Sequence, residues 1–335
     1  MRFRFLSGCV SATSAGAGTP VSMSGQRREA ICADRIDPLA DFSQVSDCSS
    51  KAAWLQGLWD DDGMTVPPYS RPLGLPGFEK PPVVEVSVGI QFTSVPVLRA
   101  FEVAGLRERW LDSFPTVEEH PPLPPAIEQS PAGMPDLQVF VGPSPSRLIF
   151  IGSDNATVVQ LQPDRIQTNW REIDPDAFGY PRWDAVRGLF INTVNDVTDF
   201  IAGRSMPQPT INQVEVTYIN AIEVPGRTSG ISDALEGIVL PKTGYLAAPS
   251  ESRANFVFEL DGFGQGPVRL YVEAGPGLRG GGRPTYFLNL TVRGAPADGD
   301  LGAAVLFADQ AHDYIVRGFT ELTPLRMQQI WGRVD

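Results

Sequence analysis

Cysteine is scarce in this chain: Cys9, Cys32 and Cys48 are the only three, and all precede Met64. The long stretch after Met64 therefore has no disulfide framework and no thiolate zinc site. Histidine is scarcer still, with His120 and His312 alone, so a zinc site would need carboxylates for most of its ligands. Lysine occurs only at positions 51, 80 and 242, which leaves arginine to carry the positive charge. There is no basic run, and the net charge is −12. Such a chain is repelled by phosphate backbones and by anionic membrane surfaces. No stretch reaches the ~18 apolar residues that span a bilayer. The opening MRFRFLSGCV holds a Leu6-Ser7-Gly8-Cys9 box like that of a lipoprotein signal, but only four residues separate Arg4 from Cys9. That is too short for a signal's apolar core. The expectation is a cytoplasmic protein without a cofactor, a membrane partner or general nucleic-acid binding.

Apolar residues make up 42% of the chain, enough for a packed core. Residues 1–63 contribute little to it. They lack sustained periodicity, apart from a helical hint at AAWLQGLW (52–59), and read as a disordered tail or an over-extended reading frame that starts at Met64 or Met23. Residues 64–82 are rich in Pro and Gly and predict an extended lead-in.

The pattern then predicts a first half over 83–205. VVEVSVGIQF (83–92) alternates as a strand with Val84, Val86, Val88 and Ile90 inward. A helix over 96–110 packs Leu98, Phe101, Leu106 and Trp110. The proline-rich 114–136 is a long excursion; its prolines at 121–125 suit a polyproline stretch for a partner, and the plainer reading is a surface excursion with no partner. Strands follow at 137–142, 147–152, 157–162 and 165–171. A long helix from Tyr180 to Gly203 carries the stripe Trp183, Val186, Phe190, Val194, Val197 and Ile201.

The second half, 206–335, repeats the order. It has a strand at 211–224, a helical turn at 231–237 capped by Ser232, strands at 237–247, 254–262, 267–275 and 284–294, and a helix from Leu301 to Leu322. Val84-Glu85-Val86 recurs as Val214-Glu215-Val216, and Val186-Arg187-Gly188 as Val316-Arg317-Gly318, both at an offset of 130. The fold expected is an internally duplicated α+β protein. Each half would be a curved antiparallel sheet packed on a long helix, in the order strand, helix, four strands, helix.

Several runs carry a resemblance. They are Pro81-Pro82-Val83-Val84-Glu85-Val86, Gln160-Leu161-Gln162-Pro163-Asp164-Arg165 with Asn169-Trp170-Arg171, Tyr180-Pro181-Arg182, and Val214 to Asn220. With the terminal helix that holds His312 and Phe319, they resemble a sporadically distributed family of bacterial and archaeal proteins of unknown function. The likeness spans about Lys80 to Trp331 and implies no activity.

Among candidate site residues, one strand face stands out. Arg165, Gln167, Asn169 and Arg171 share a face of their strand, and Gln160 and Gln162 fall beside them. Amides and guanidinium groups in a row suit a carboxylate, a phosphate or a peptide edge; the plainer reading is the wet face of an antiparallel sheet. Trp170 joins the set as a hot-spot residue type beside Arg171. Glu85 and Glu215 occupy matching strand positions, where paired carboxylates can act as acid and base or hold a metal, but solvent-facing strand positions suit them better. His312, flanked by Asp309 and Asp313, reads as a packing residue, since no nucleophile motif accompanies it. GPGLRGGGRP (275–284) joins two strands and lacks the ending of a phosphate loop, so it reads as a flexible hairpin loop.

Three functions compete. The first is a non-catalytic binding or adaptor protein, suggested by the missing catalytic motifs. The second is a small-molecule binder or enzyme with a pocket between sheet and long helix, lined by Trp170, Trp183, Tyr218 and Phe319. The third, resting on the distribution of the resembling family, is a component of a mobile defence or toxin–antitoxin system. A homodimer through exposed strand edges fits any of them.

Overall fold

The computed structural model describes residues 66–98, 102–126, 128, 146–174, 179–226, 228–240, 244–246 and 249–334. The three cysteines, the 52–59 helix, Phe101 and the 137–142 strand lie outside the described residues.

The chain is a mixed α+β protein built on antiparallel strands. The elements are β1 (Gly77–Phe78), β2 (Val83–Phe92), α1 (Ala104–Trp110), β3 (Thr116–His120), β4 (Arg147–Ile151), β5 (Thr157–Gln162), β6 (Arg165–Arg171) and α2 (Trp183–Ala202). There follow β7 (Ile211–Ile222), α3 (Ile231–Ala234), β8 (Ala254–Leu260), β9 (Gln265–Arg279), β10 (Arg283–Ala295), α4 (Leu301–Leu322), α5 (Leu325–Ile330) and β11 (Arg333–Val334). Among the described residues nine strands form one sheet in the order β3-β4-β5-β6-β2-β7-β10-β9-β8, and β1 pairs with β11 apart from it. The two halves of the chain therefore share a single sheet, joined where β2 meets β7.

Alternation decides which side of the sheet is dry. Val86, Val88, Ile90, Ile166, Val214, Val216, Leu288, Leu290 and Val292 are buried on one face. α2 covers β2 and β6 on that side, α4 covers β7 and β10, and the two helices touch. The expected stripe of α2 is buried at all six positions, with Phe190 and Ile201 fully enclosed. Enclosing a side chain of that size is worth about 2–3 kcal/mol. Asp300 starts α4 as its N-cap, accepting from the Ala303 N–H at 2.7 Å.

Several expectations fail locally. Val83, not Val84, enters the core, because β2 has one more residue than β7 between the pairs Val83↔Asn220 and Glu85↔Ile219. This bulge shifts the alternation by one residue. The helix over 96–110 is a 3₁₀ turn at Pro96–Leu98 and, separately, α1. The 114–136 excursion contains a strand, β3, which pairs with β4 at the sheet edge. Residues 237–240 and 244–246 form no strand, and Val239 and Tyr245 stand in solvent at 86% and 98% exposure. Among the described residues the second half thus shows three of its four expected strands. α3 is entered from Gly230, whose N–H donates to Asp233 Oδ2 at 2.9 Å, so Ser232 does not cap it. The 275–284 segment is the expected hairpin, but its loop is only Gly280–Gly282, because the β9–β10 ladder runs out to Arg279↔Arg283.

Candidate functional site

Two places concentrate polar groups: the uncovered face of the sheet, and a pocket on the helix side.

On the uncovered face, register brings together six of the seven residues expected there. Gln160 lies opposite Gln167, and Gln162 opposite Arg165. Arg147 donates to Gln160 Oε1 at 3.0 Å, Gln160 Nε2 to Asn169 Oδ1 at 3.0 Å, and Asn169 Nδ2 to Glu85 Oε1 at 2.7 Å. Burial pushes the Glu85 carboxyl up, against the opposing pull of the Asn169 hydrogen bond and of Arg171. Gln167 donates to Ser87 Oγ at 3.1 Å, and Arg171 to the Asn155 carbonyl at 3.1 Å. Trp170 points the other way, into the core beside Tyr180. Glu85 and Glu215 do not meet. Glu85 lies opposite Ile219, Glu215 lies opposite Gly89, and Glu215 binds Arg293 at 2.5 Å.

Residues 121–126 and 128 of the proline-rich segment lie across this face, held by side-chain amides. Gln162 Oε1 accepts the Leu123 N–H at 3.0 Å while its Nε2 donates to the Leu123 carbonyl at 3.1 Å. Gln91 treats Ala126 the same way, at 2.9 and 3.0 Å. Arg165 donates to the Pro124 carbonyl at 3.0 Å, and Gln213 Oε1 accepts the Glu128 N–H at 3.3 Å. The Glu128 carboxylate, with a side chain only 5% exposed, ends the strap against Arg269 at 2.6 Å and the Tyr271 hydroxyl at 2.7 Å. Arg293 approaches it at 3.4 Å. An amide that brackets a peptide unit replaces both hydrogen bonds a strand partner would give. Of the row read in the sequence, Gln162 and Arg165 thus hold the polyproline run, while Gln160, Gln167, Asn169 and Arg171 bond elsewhere. Gln91, Gln213, Glu128, Arg269, Tyr271 and Arg293 went unnoticed there. The signal was the strand parity that places Gln91 in line with Ser87 and Gly89, and Gln213 in line with Glu215.

The pocket, of about 780 Å³, lies between the 69–83 lead-in, the start of α2, the middle of α4 and the ends of β2 and β7. Trp183, Tyr218 and Phe319 line it as expected, and Trp170 does not. Its buried wall includes Asn220, His312 and Ile315. The charged lining residues Arg71, Glu79, Arg182 and Asp184 are all exposed, which puts charge at the mouth and neutral groups inside.

His312 is at the centre of the wall. Its ring stacks on Trp183, and Tyr69 meets it edge-on at 5.7 Å. The Tyr218 hydroxyl contacts Nδ1 at 2.9 Å, and the Tyr180 hydroxyl contacts that of Tyr218 at 2.7 Å. Burial brings the imidazole down to about 3 and pushes the Tyr218 and Tyr180 phenols up, so all three groups are neutral at pH 7. Asp309 and Asp313 do not orient the imidazole. Asp309 accepts from Trp183 Nε1 at 2.9 Å and pairs with Arg187 at 2.9 Å, and Asp313 accepts from the Tyr69 hydroxyl at 2.6 Å.

The lead-in is latched as a roof over this pocket. Arg187 donates to the Pro67 carbonyl at 2.6 Å. Arg182 donates to the carbonyls of Phe78 at 2.9 Å and Glu79 at 3.1 Å. To do so it sits at φ 76° and ψ 165°, a conformation that belongs to glycine. Phe78 packs edge-on against Phe319 at 5.4 Å.

Among the described residues no group of His, Cys, Asp and Glu is placed to hold a metal ion, and no helix is long and apolar enough to cross a membrane. No family model, no curated protein and no solved structure matches the chain.

Proposed function

We propose that this protein is a non-catalytic binding protein whose ligand is a small, uncharged, largely apolar molecule held in the pocket under the lead-in. The observation that carries this is the division of the lining among the described residues: neutral aromatic and aliphatic groups inside, charge at the mouth. The volume is that of a typical ligand site. The His312–Tyr218–Tyr180 chain supplies a few fixed polar groups of the kind that orient a ligand. It does not supply an acid–base pair, since the imidazole and phenols keep one protonation state across neutral pH. The direct test is titration of the full chain with N-phenyl-1-naphthylamine, an uncharged fluorescent aromatic. Saturable one-to-one binding is expected in the wild type and should be lost in Val316→Trp, which fills the pocket from a half-buried position. Binding that survives this substitution removes the reading.

A second reading, an adaptor that takes an extended segment on the uncovered sheet face, is supported by the way Gln91 and Gln162 bracket peptide backbone. In that case Glu128→Ala, which loosens the strap, should gain affinity for a synthetic peptide of residues 119–130 while the wild type has little. Equal, negligible binding by both would dismiss it.

The internal duplication belongs to the same proposal. Its support is the register at the centre of the sheet. Ser87 pairs with Thr217, which lies 130 positions later. Val86↔Tyr218 and Val88↔Val216 exchange with each other under the same offset, as do Glu85↔Ile219 and Gly89↔Glu215. Outward from this pair the strands run β6, β5, β4 on one side and β10, β9, β8 on the other, and α2 and α4 follow β6 and β10 in the chain.

A further inference from the structure

We propose that two copies of this chain pair through the outer edge of β8, antiparallel about a two-fold axis at Phe256, so that one sheet runs through both.

The two ends of the sheet differ. The β3 end is short and ends in Glu118-Glu119-His120, the charged termination that keeps an edge from pairing. At the other end, β8 reads ANFVFEL, bonds only to β9 among the described residues, and is exposed from Asn255 to Glu259. Phe256, Val257 and Phe258 are 39%, 55% and 41% exposed. Phe256 and Phe258 lie opposite Val272 and Leu270, so they extend the dry face of the sheet past its cover. Of the large apolar residues exposed among the described residues, Phe256, Val257 and Phe258 stand consecutively on this one edge strand. Consecutive apolar exposure on an edge is the mark of an interface.

Charge selects a second copy as the occupant. A two-fold axis perpendicular to the sheet places residues of like parity opposite each other, which keeps dry side with dry side. Centred on Phe256, that register sets Arg253 of each copy opposite Glu259 of the other. Ala254 falls opposite Phe258, and the two Phe256 rings meet. The Arg253 and Glu259 side chains are 57% and 79% exposed, and their own pairings, with Glu251 at 3.6 Å and Arg269 at 3.4 Å, are long. The strand is thus basic at its start and acidic at its end, self-complementary when reversed.

The test is sedimentation of the full chain at low salt, where exposed charge pairs count most. The wild type is expected to be a dimer at roughly 100 µM. Arg253→Glu alone and Glu259→Arg alone should each weaken it by about tenfold or more through facing like charges, with unchanged circular dichroism. Mixing the two single variants should restore a heterodimer, because each then meets its opposite charge. A monomeric wild type overturns the proposal. A dimer indifferent to both reversals places the interface elsewhere and overturns it equally.

Discussion

His312 lies flat on Trp183, with ring planes 1° apart and centroids at 4.6 Å. One residue comes from the middle of α4 and the other opens α2, so this stack joins the two long helices where they border the pocket. Nδ1 of the His312 ring is tied to the sheet through the Tyr218 hydroxyl at 2.9 Å. An imidazole so enclosed, with no carboxylate on either ring nitrogen among the described residues, has little to stabilise a second proton.

Acid should therefore act on the fold through His312. Its folded value of about 3 lies below the 6.5 of an open chain, so the unfolded state binds the proton first. The contribution is fully present above 6.5 and is lost as pH falls towards 3, with a slope of up to about 1.4 kcal/mol per pH unit. Burial shifts the neighbours Asp309 and Asp313 upward, which works in the opposite sense at the acid end. Chemical denaturation of the wild type and His312→Asn between pH 7 and 4 isolates the histidine: the wild type should lose its advantage steadily, and parallel curves would refute the assignment.

Arg182 predicts an inverted order of substitutions. Arg182→Ala loses both bonds to the lead-in carbonyls and keeps a side chain at φ 76°, whereas Arg182→Gly loses the same bonds but relieves the backbone, a difference of about 1–2 kcal/mol. Glycine should be the milder change in thermal unfolding. Amide exchange across residues 75–80 should accelerate in both variants, because the roof has lost its latch.

Glu128 should matter as much as a core residue. Replacing it with Ala leaves Arg269 and Arg293 without their shared buried carboxylate, at a cost of about 3 kcal/mol. The Glu128→Gln variant retains shape but not charge and should fall between. If urea unfolding finds Glu128→Ala within about 0.5 kcal/mol of the wild type, the strap is not held as described.

Most elements were legible because alternation and helical spacing are local. The stripe of α2 and the strands β5, β6, β7 and β10 follow directly from which residues repeat at two or at three and four. What was not legible depends on partners. β3 is a strand because β4 offers it an edge, although its own Thr-Val-Glu-Glu-His reads as loop. Residues 237–240 carry Ile238, Val239 and Leu240 yet pair with nothing described, since apolar content alone does not supply a ladder. The polar residues Gln162 and Arg165 were visible, but the chain's own Leu123 and Pro124 as their contacts were not, because the two meet only once the sheet has formed. The pocket was half visible: Trp183, Tyr218 and Phe319 are periodic core positions, while Tyr69 comes from irregular chain and Arg182 was read as helix although the helix starts only at Trp183.

The most direct measurement is native mass spectrometry of the full chain purified gently from its own host, beside Val316→Trp prepared in the same way. The pocket account predicts a small organic molecule bound once per chain in the wild type and missing from the variant. A wild type with no bound molecule that also fails to take up N-phenyl-1-naphthylamine, or an adduct retained by Val316→Trp, would contradict it.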